Sequence, residues 1–147
     1  MTVITSHKDL DVYKKSYQLA LQVCRLTRLF PAGEKFSLTD QTRRAAVSIP
    51  SNIAEGYRRY NRAEYVRFLR IAFGSCAELD TQLDLCYDLD MINANDHARL
   101  GELVSDVSKM LHRLIRSLNE SEIGSRASSV GRSGRESGVG SRGGTIF

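Results

Sequence analysis

Residues 43–59 read RRAAVSIPSNIAEGYRR. Ala45, Ala46, Ser48 and Ala54 place small side chains at helical spacing, and a helix opening at Ser37 and closing near Tyr57 contains all of them. Ser37 with Asp40 has the S-x-x-D form of a capping box. Inside this helix stands Pro50, which lacks an amide hydrogen and whose ring crowds the carbonyl four residues back, at Ala46. A kink is therefore predicted, at a cost of about 3 kcal/mol for a helix interior. Ser48, Ser51 and Asn52 are placed to restore hydrogen bonds locally. The bend serves either to wrap the helix around its neighbours or to hold a ligand, and the first needs nothing beyond the bundle. Arginine pairs frame it, Arg43-Arg44 and Arg58-Arg59.

Working outward, three more helices emerge. The first is predicted from about His7 to Phe30, with Ser6 and Asp9 as capping box and Pro31 as its stop. It carries two adjacent apolar stripes. One is Leu10, Tyr13, Tyr17, Leu21 and Cys24; the other is Val12, Leu19, Val23, Leu26 and Phe30. Two stripes imply burial on two sides, so this helix is expected to meet its own bundle and something else as well. Asn61 and Glu64 cap a third helix over about 62–90, on the order of 40 Å long. Its inner face is predicted to hold Phe68, Ala72, Cys76, Leu79, Leu83 and Cys86, widened by Val66, Leu69 and Phe73. The fourth, about 96–118, shows Leu100, Leu103, Val107, Leu111, Leu114 and Leu118. Short loops favour antiparallel neighbours, which gives an all-α, up-down four-helix bundle over residues 1–119.

From Glu120 the composition changes. Residues 120–147 are half Gly or Ser, and they include Arg126, Arg132, Arg135 and Arg142. Such a segment buries too little apolar surface to offset its ordering entropy, so a disordered tail is expected. Its arginines among glycines match RNA-binding low-complexity tails as well as a dispensable extension. No apolar run reaches the roughly 20 residues of a membrane span, and the N-terminus lacks the layout of a signal peptide. A cytoplasmic protein without membrane contact is expected. Cys24, Cys76 and Cys86 are odd in number and scattered, as for reduced buried thiols.

The net charge of +4 is modest, but its placement is not. Between Gly56 and Ser75 stand five arginines, Arg58, Arg59, Arg62, Arg67 and Arg70, against one acid, Glu64. Between Cys76 and Asp90 stand five acids, Glu78, Asp80, Asp84, Asp88 and Asp90, and no base. This polarity opposes the helix dipole, at tenths of a kcal/mol per terminal charge. Stability alone does not select it; a polyanion at the basic end does, and so does pairing of basic with acidic segments between chains. The basic end is also aromatic, with Tyr57, Tyr60, Tyr65 and Phe68 interleaved. Guanidinium groups suit phosphates and exposed tyrosines stack bases. The alternative has Tyr65 and Phe68 in the core, with Tyr57 and Tyr60 stapling the turn.

No catalytic constellation is legible. His7, His97 and His112 fall in different elements without metal-ligand spacing, and neither phosphate-loop nor nucleophile-elbow patterns occur. Helical-bundle ribonucleases place arginine a few residues before histidine, and neither 90–93 nor 105–108 contains one. Asp80, Asp84 and Asp88 share a face but lack the Glu-x-x-His partners of carboxylate-bridged metal bundles. Neither enzyme activity nor a cofactor or metal is expected.

Arg43-Arg44-Ala45-Ala46, Ser48-Ile49-Pro50 and Asn52-Ile53-Ala54-Glu55-Gly56 closely resemble the signature of the bacterial four helix bundle protein family, which includes proteins encoded in intervening sequences of 23S ribosomal RNA genes. RFLRIAFGSCAELDTQLDL at 67–85 and LDVYKKSYQLAL at 10–21 extend the similarity to roughly 8–118. A related branch comprises the accessory variability determinants (Avd) of diversity-generating retroelements, which act beside a reverse transcriptase and its template RNA. The resemblance implies a non-enzymatic homopentamer that binds RNA or DNA. Five copies would together carry about +20, a charge that steers phosphate partners. It singles out Arg43, Arg44, Asn52 and Glu55, with Pro50 and Gly56 as structural members of the motif. The rival is an oligomeric adaptor whose basic and acidic faces pair between subunits.

Overall fold

The Ser6 hydroxyl accepts from the Lys8 amide while the Asp9 carboxylate returns to the Ser6 amide, so the expected capping box forms. It caps a 3-10 turn at His7–Asp9 rather than a long helix, and α1 starts afresh at Asp11, ending at Thr27. The computed structural model describes residues 3–30 and 36–136, the side chains of residues 36 and 122–136 excepted; the expected stop at Pro31 lies outside them. Helix α2 follows at Phe36–Tyr57, α3 at Arg62–Asp88 and α4 at Ala94–Glu136. Among the described residues there is no strand, and no helix is long and apolar enough to cross a membrane.

Bonds between neighbours fix an up-down bundle, because paired residue numbers run in opposite directions. Arg43 of α2 reaches Thr27 of α1, and Ser48 of α2 reaches Ser75 of α3. Asp84 of α3 meets His97 of α4, and Phe73 of α3 lies beside His112. Lys15 of α1 pairs with Asp106 of α4, and Gln22 accepts from Arg99, which closes the ring of four. The core inside holds Leu19 and Val23, Ala46, Ile49 and Ile53, Leu69, Leu79 and Leu83, and Leu100, Val107 and Leu111. Burying each large aliphatic side chain contributes about 1.5–3 kcal/mol.

Several details depart from expectation. Ser37 lies one residue inside α2, where it accepts from Gln41, and Asp40 binds Arg44; the predicted capping box there does not form. Phe73 is exposed, and Phe68 is only half-buried, because α3 turns its Leu69–Ala72–Cys76–Leu79 line inward. On α1 the stripe of Val12, Leu19 and Val23 is core, joined by Ser16, Ala20 and Thr27. The other stripe, with Tyr13, Tyr17, Leu21 and Cys24, looks outward. Cys76 and Cys86 are buried thiols, pushed up by burial, Cys76 to about 12. Helix α4 runs to Glu136, well past Leu118, whereas the compact unit carrying the bundle ends at Ile115. The side chains of Arg126, Arg132 and Arg135, and all of 137–147 with Arg142, lie outside the described residues.

Pro50 is buried inside a continuous α2. Asn52 Nδ2 donates to the Ser48 carbonyl at 2.8 Å and to Ser48 Oγ at 2.9 Å, while Ser48 Oγ meets Ser75 Oγ at 2.8 Å. The turn weakened by proline is thus tied to itself and to α3. At its other end α3 closes with Asp90 at φ 60°; the Met91 amide reaches the Cys86 carbonyl and the Asp90 amide that of Tyr87. That is a Schellman ending, with aspartate in the left-handed position usually given to glycine.

Gly56 sets the approach of α2 to α3. A methyl group there would stand 2.8 Å from Phe68 Cβ, 3.1 Å from Tyr65 Cδ2 and 3.2 Å from the Tyr65 carbonyl oxygen. Two of these obstacles are fixed to the α3 backbone and cannot swing away. Alanine is the better helix former by about 1 kcal/mol. The clash outweighs it: Gly56→Ala is predicted to lower stability by about 1–3 kcal/mol in urea unfolding. A stabilised Gly56→Ala protein would show that the helices are not in contact at this point.

Candidate nucleic-acid interface

Residues 58–61 carry the chain from α2 into α3 in one tight turn. The Arg58 amide still bonds the Ala54 carbonyl and that of Arg59 the Gly56 carbonyl, after which the helix has run out. Asn61 then takes extended backbone and its Oδ1 accepts from the Glu64 amide at 3.2 Å, starting α3. Between these two caps Tyr60 is thrown into solvent, with an exposure of 109%. Tyr57 is held edge-on by Tyr65 at 6.1 Å, and burial pushes the Tyr65 hydroxyl up to about 12. Of the four aromatics, Tyr65 and Tyr57 pack as the structural alternative has it. Tyr60 does not.

The arginines divide. Arg59 and Arg67 place their guanidinium carbons 5.0 and 4.6 Å from the Phe68 ring centre. Each also holds a carboxylate, Arg59 that of Glu55 at 2.6 Å and Arg67 that of Glu64 at 3.0 Å. The bond from Arg67 holds the Glu64 carboxyl below its usual range and raises Arg67 in turn. These contacts fix the direction of both side chains while leaving each about half exposed. Arg58 and Arg62 are exposed at the turn, and Arg70 is exposed farther along α3. Among the described residues neither Arg58 nor Arg70 makes an ion pair. The other pair lies elsewhere: at 1.5 Å per residue, Arg44 is on the order of 20 Å along α2 from Arg58. Arg43 Nε donates to Thr27 Oγ1 at 2.6 Å, and Arg44 pairs with Asp40 at 3.1 Å. The two arginine pairs of the motif therefore do not form one site.

Sequence reasoning missed a partner of this turn. The 3-10 turn His7–Asp9 packs against α2, and Thr5, Ser6, His7 and Lys8 form with Tyr57, Arg58 and Tyr60 a hollow of about 760 Å³. Lys8 thus joins Arg58 on one surface. Ser6 and Asp9 announced the start of a long helix in the sequence and not a separate tight turn, and nothing local told which helix end that turn would rest on. The acidic half of α3 points away along the helix. There Asp84 receives His97 at 2.8 Å, with Tyr87 stacked on the imidazole at 4.5 Å. Among the described residues no group of three or more His, Cys, Asp or Glu is arranged to hold a metal ion.

A second surface feature is apolar. The outward stripe of α1 and the proline face of α2 line a groove of about 380 Å³ with Tyr13, Tyr17, Leu21, Cys24, Val47 and Pro50. Tyr17 and Val47 are about half exposed there.

No curated protein matches the chain. Its fold is similar to the crystal structure of a protein of unknown function from the S23 ribosomal protein family of Bacteroides thetaiotaomicron VPI-5482. The two share 25% identity at a TM-score of 0.66, over 71% of this chain and 97% of that one. A family model described as 23S rRNA-intervening sequence protein matches residues 8–113, nearly the whole bundle. With the motif of α2, the bundle and this match in agreement, the chain belongs to the 23S rRNA-intervening sequence protein family.

Proposed function

We propose that this protein is a non-enzymatic, cytoplasmic scaffold that binds nucleic acid through the turn between α2 and α3 and works as a homopentamer. The observation that carries the reading is the charge balance at that turn. Lys8 and Arg58 line one hollow with an exposed tyrosine, and Arg59 and Arg62 stand beside them in the chain, while the acids Glu55 and Glu64 are held by Arg59 and Arg67. The surplus is positive and faces solvent, the condition for phosphate binding driven by counterion release. The five-fold assembly, and a reverse transcriptase with its template RNA as partners, rest on the resemblance to the retroelement branch of the family. The outward stripe of α1 supports self-assembly, since it is an apolar face that the bundle itself leaves uncovered.

Binding of RNA and DNA is predicted to weaken steeply with salt. Substituting Arg58, Arg59 and Arg62 together by alanine is expected to reduce the slope of log K against log salt by about 2–3. Unchanged binding by the triple variant rejects the surface. Collapse of the oligomer in that variant, seen by light scattering, favours instead the adaptor whose basic and acidic faces pair between subunits.

Self-assembly has its own test at the groove. Tyr17→Asp with Leu21→Asp puts two charges onto the apolar stripe and is predicted to leave the fold intact and the particle monomeric in light scattering. A particle of unchanged mass assigns the contact to another face.

A further inference from the structure

We infer that the hollow between the N-terminal 3-10 turn and the α2–α3 turn is a subsite for one unstacked nucleotide of a single strand, with Tyr60 as the face on which its base stacks. The inference rests on the nucleic-acid reading above and goes further, since charge alone does not distinguish a single strand from a duplex.

Four observations lead to it. Tyr60 is fully exposed and, among the described residues, touches no other ring, ion or hydrogen-bonding group, so neither core packing nor a turn staple accounts for an aromatic at this position. The ring nevertheless lines a hollow whose volume, about 760 Å³, lies within the range of small-molecule sites, about 300–1,000 Å³. Part of the lining is held in place: Tyr57 is fixed edge-on by Tyr65, and His7 is fixed edge-on by Tyr13 at 4.9 Å. Finally, the cations Lys8 and Arg58 come from segments far apart in sequence and line the same hollow, neither with a carboxylate partner among the described residues.

The nearest acid, Asp9, is engaged by the chain just ahead of it. Asp9 Oδ2 accepts from the Thr5 amide at 2.9 Å, from Thr5 Oγ1 at 3.0 Å and from the Ser6 amide at 3.0 Å. Those neutral donors hold the carboxyl below its usual range, so it stays charged, but it is not among the residues that line the hollow. The rim also offers both kinds of hydrogen-bonding group. Ser6 Oγ accepts from the Lys8 amide and keeps its own proton to donate; Thr5 Oγ1 gives its proton to Asp9 and keeps lone pairs to accept.

Phosphates of any nucleic acid satisfy Lys8 and Arg58, but only an unstacked base satisfies Tyr60. In a duplex both faces of every internal base are covered by its neighbours. Stacking of a base on an aromatic side chain is tolerant of sequence because every base has a π-face. The hollow therefore selects strandedness and not sequence.

The chain contains no tryptophan, so Tyr60→Trp introduces a unique fluorophore at the stacking face. Titrating the full-length variant with single-stranded oligoadenylate is expected to quench its emission, whereas inorganic polyphosphate of comparable charge leaves it unchanged. In parallel, Tyr60→Ala is expected to weaken single-stranded RNA about tenfold and to leave binding of a blunt RNA duplex within twofold. If polyphosphate and RNA quench alike, or Tyr60→Ala binds both RNAs as the wild type does, the stacking subsite is overturned. In that event the Arg58, Arg59 and Arg62 triple variant still loses RNA, and the electrostatic surface stands without the subsite. A wild type that binds neither single-stranded nor duplex RNA at low salt removes both.

Discussion

At Gly56 the second helix presses bare backbone against the Cβ of Phe68 and the carbonyl of Tyr65, and no side chain larger than hydrogen fits between them. This contact lies at the penultimate residue of α2. It forces the chain to turn at once, within residues 58–61, with Asn61 capping the next helix. A wider approach would allow a longer or looser loop, and Arg58, Arg59 and Arg62 would no longer be gathered at one tight turn. Tyr60 is exposed for the same reason: the turn is too short to fold its ring back over the bundle. A packing constraint therefore becomes a surface property, a rigid cationic turn.

Much of this was legible in the sequence, and what was not has identifiable physical causes. Helix α2 and its end at Tyr57 followed from spacing, and Asn61 from cap chemistry; Asn52 did bond a backbone carbonyl beside Pro50. The two stripes of α1 were visible, but periodicity cannot say which of two apolar faces meets the core, and Tyr17 proved to be outside. Phe73 failed similarly, since the rotation of α3 is decided by partners remote in sequence. The motif arginines misled most. Arg43 and Arg58 look like a frame in one dimension, yet a helix separates them by length, and Arg43 turns to Thr27. Conversely Lys8 gave no local signal, because its place beside Arg58 is created only when the N-terminal turn settles on α2.

The odd polarity of α3 gains a physical reading from these placements. Its acidic end is partly engaged within the chain, where Asp84 meets His97 and the ring of Tyr87 covers the imidazole. Its basic end keeps acids only as braces, with Glu64 aligning Arg67 and Glu55 aligning Arg59. Exposed pairs of this kind contribute about 0–1 kcal/mol to stability. They matter here by holding long side chains near Phe68, which on the proposed reading lessens the freedom lost on binding phosphate. The chain's family is shown by the match over residues 8–113, and the nucleic-acid role of this turn is the reading proposed above.

The central claim is that this turn, and no other part of the bundle, meets nucleic acid. Amide hydrogen exchange read by mass spectrometry, with and without single-stranded RNA at low salt, tests it most directly. The account predicts slowed exchange in residues 5–9 and 57–62 on binding, with 84–97 unchanged. Slowing confined to residues 84–97, or RNA bound with residues 57–62 exchanging as in the free protein, would contradict it.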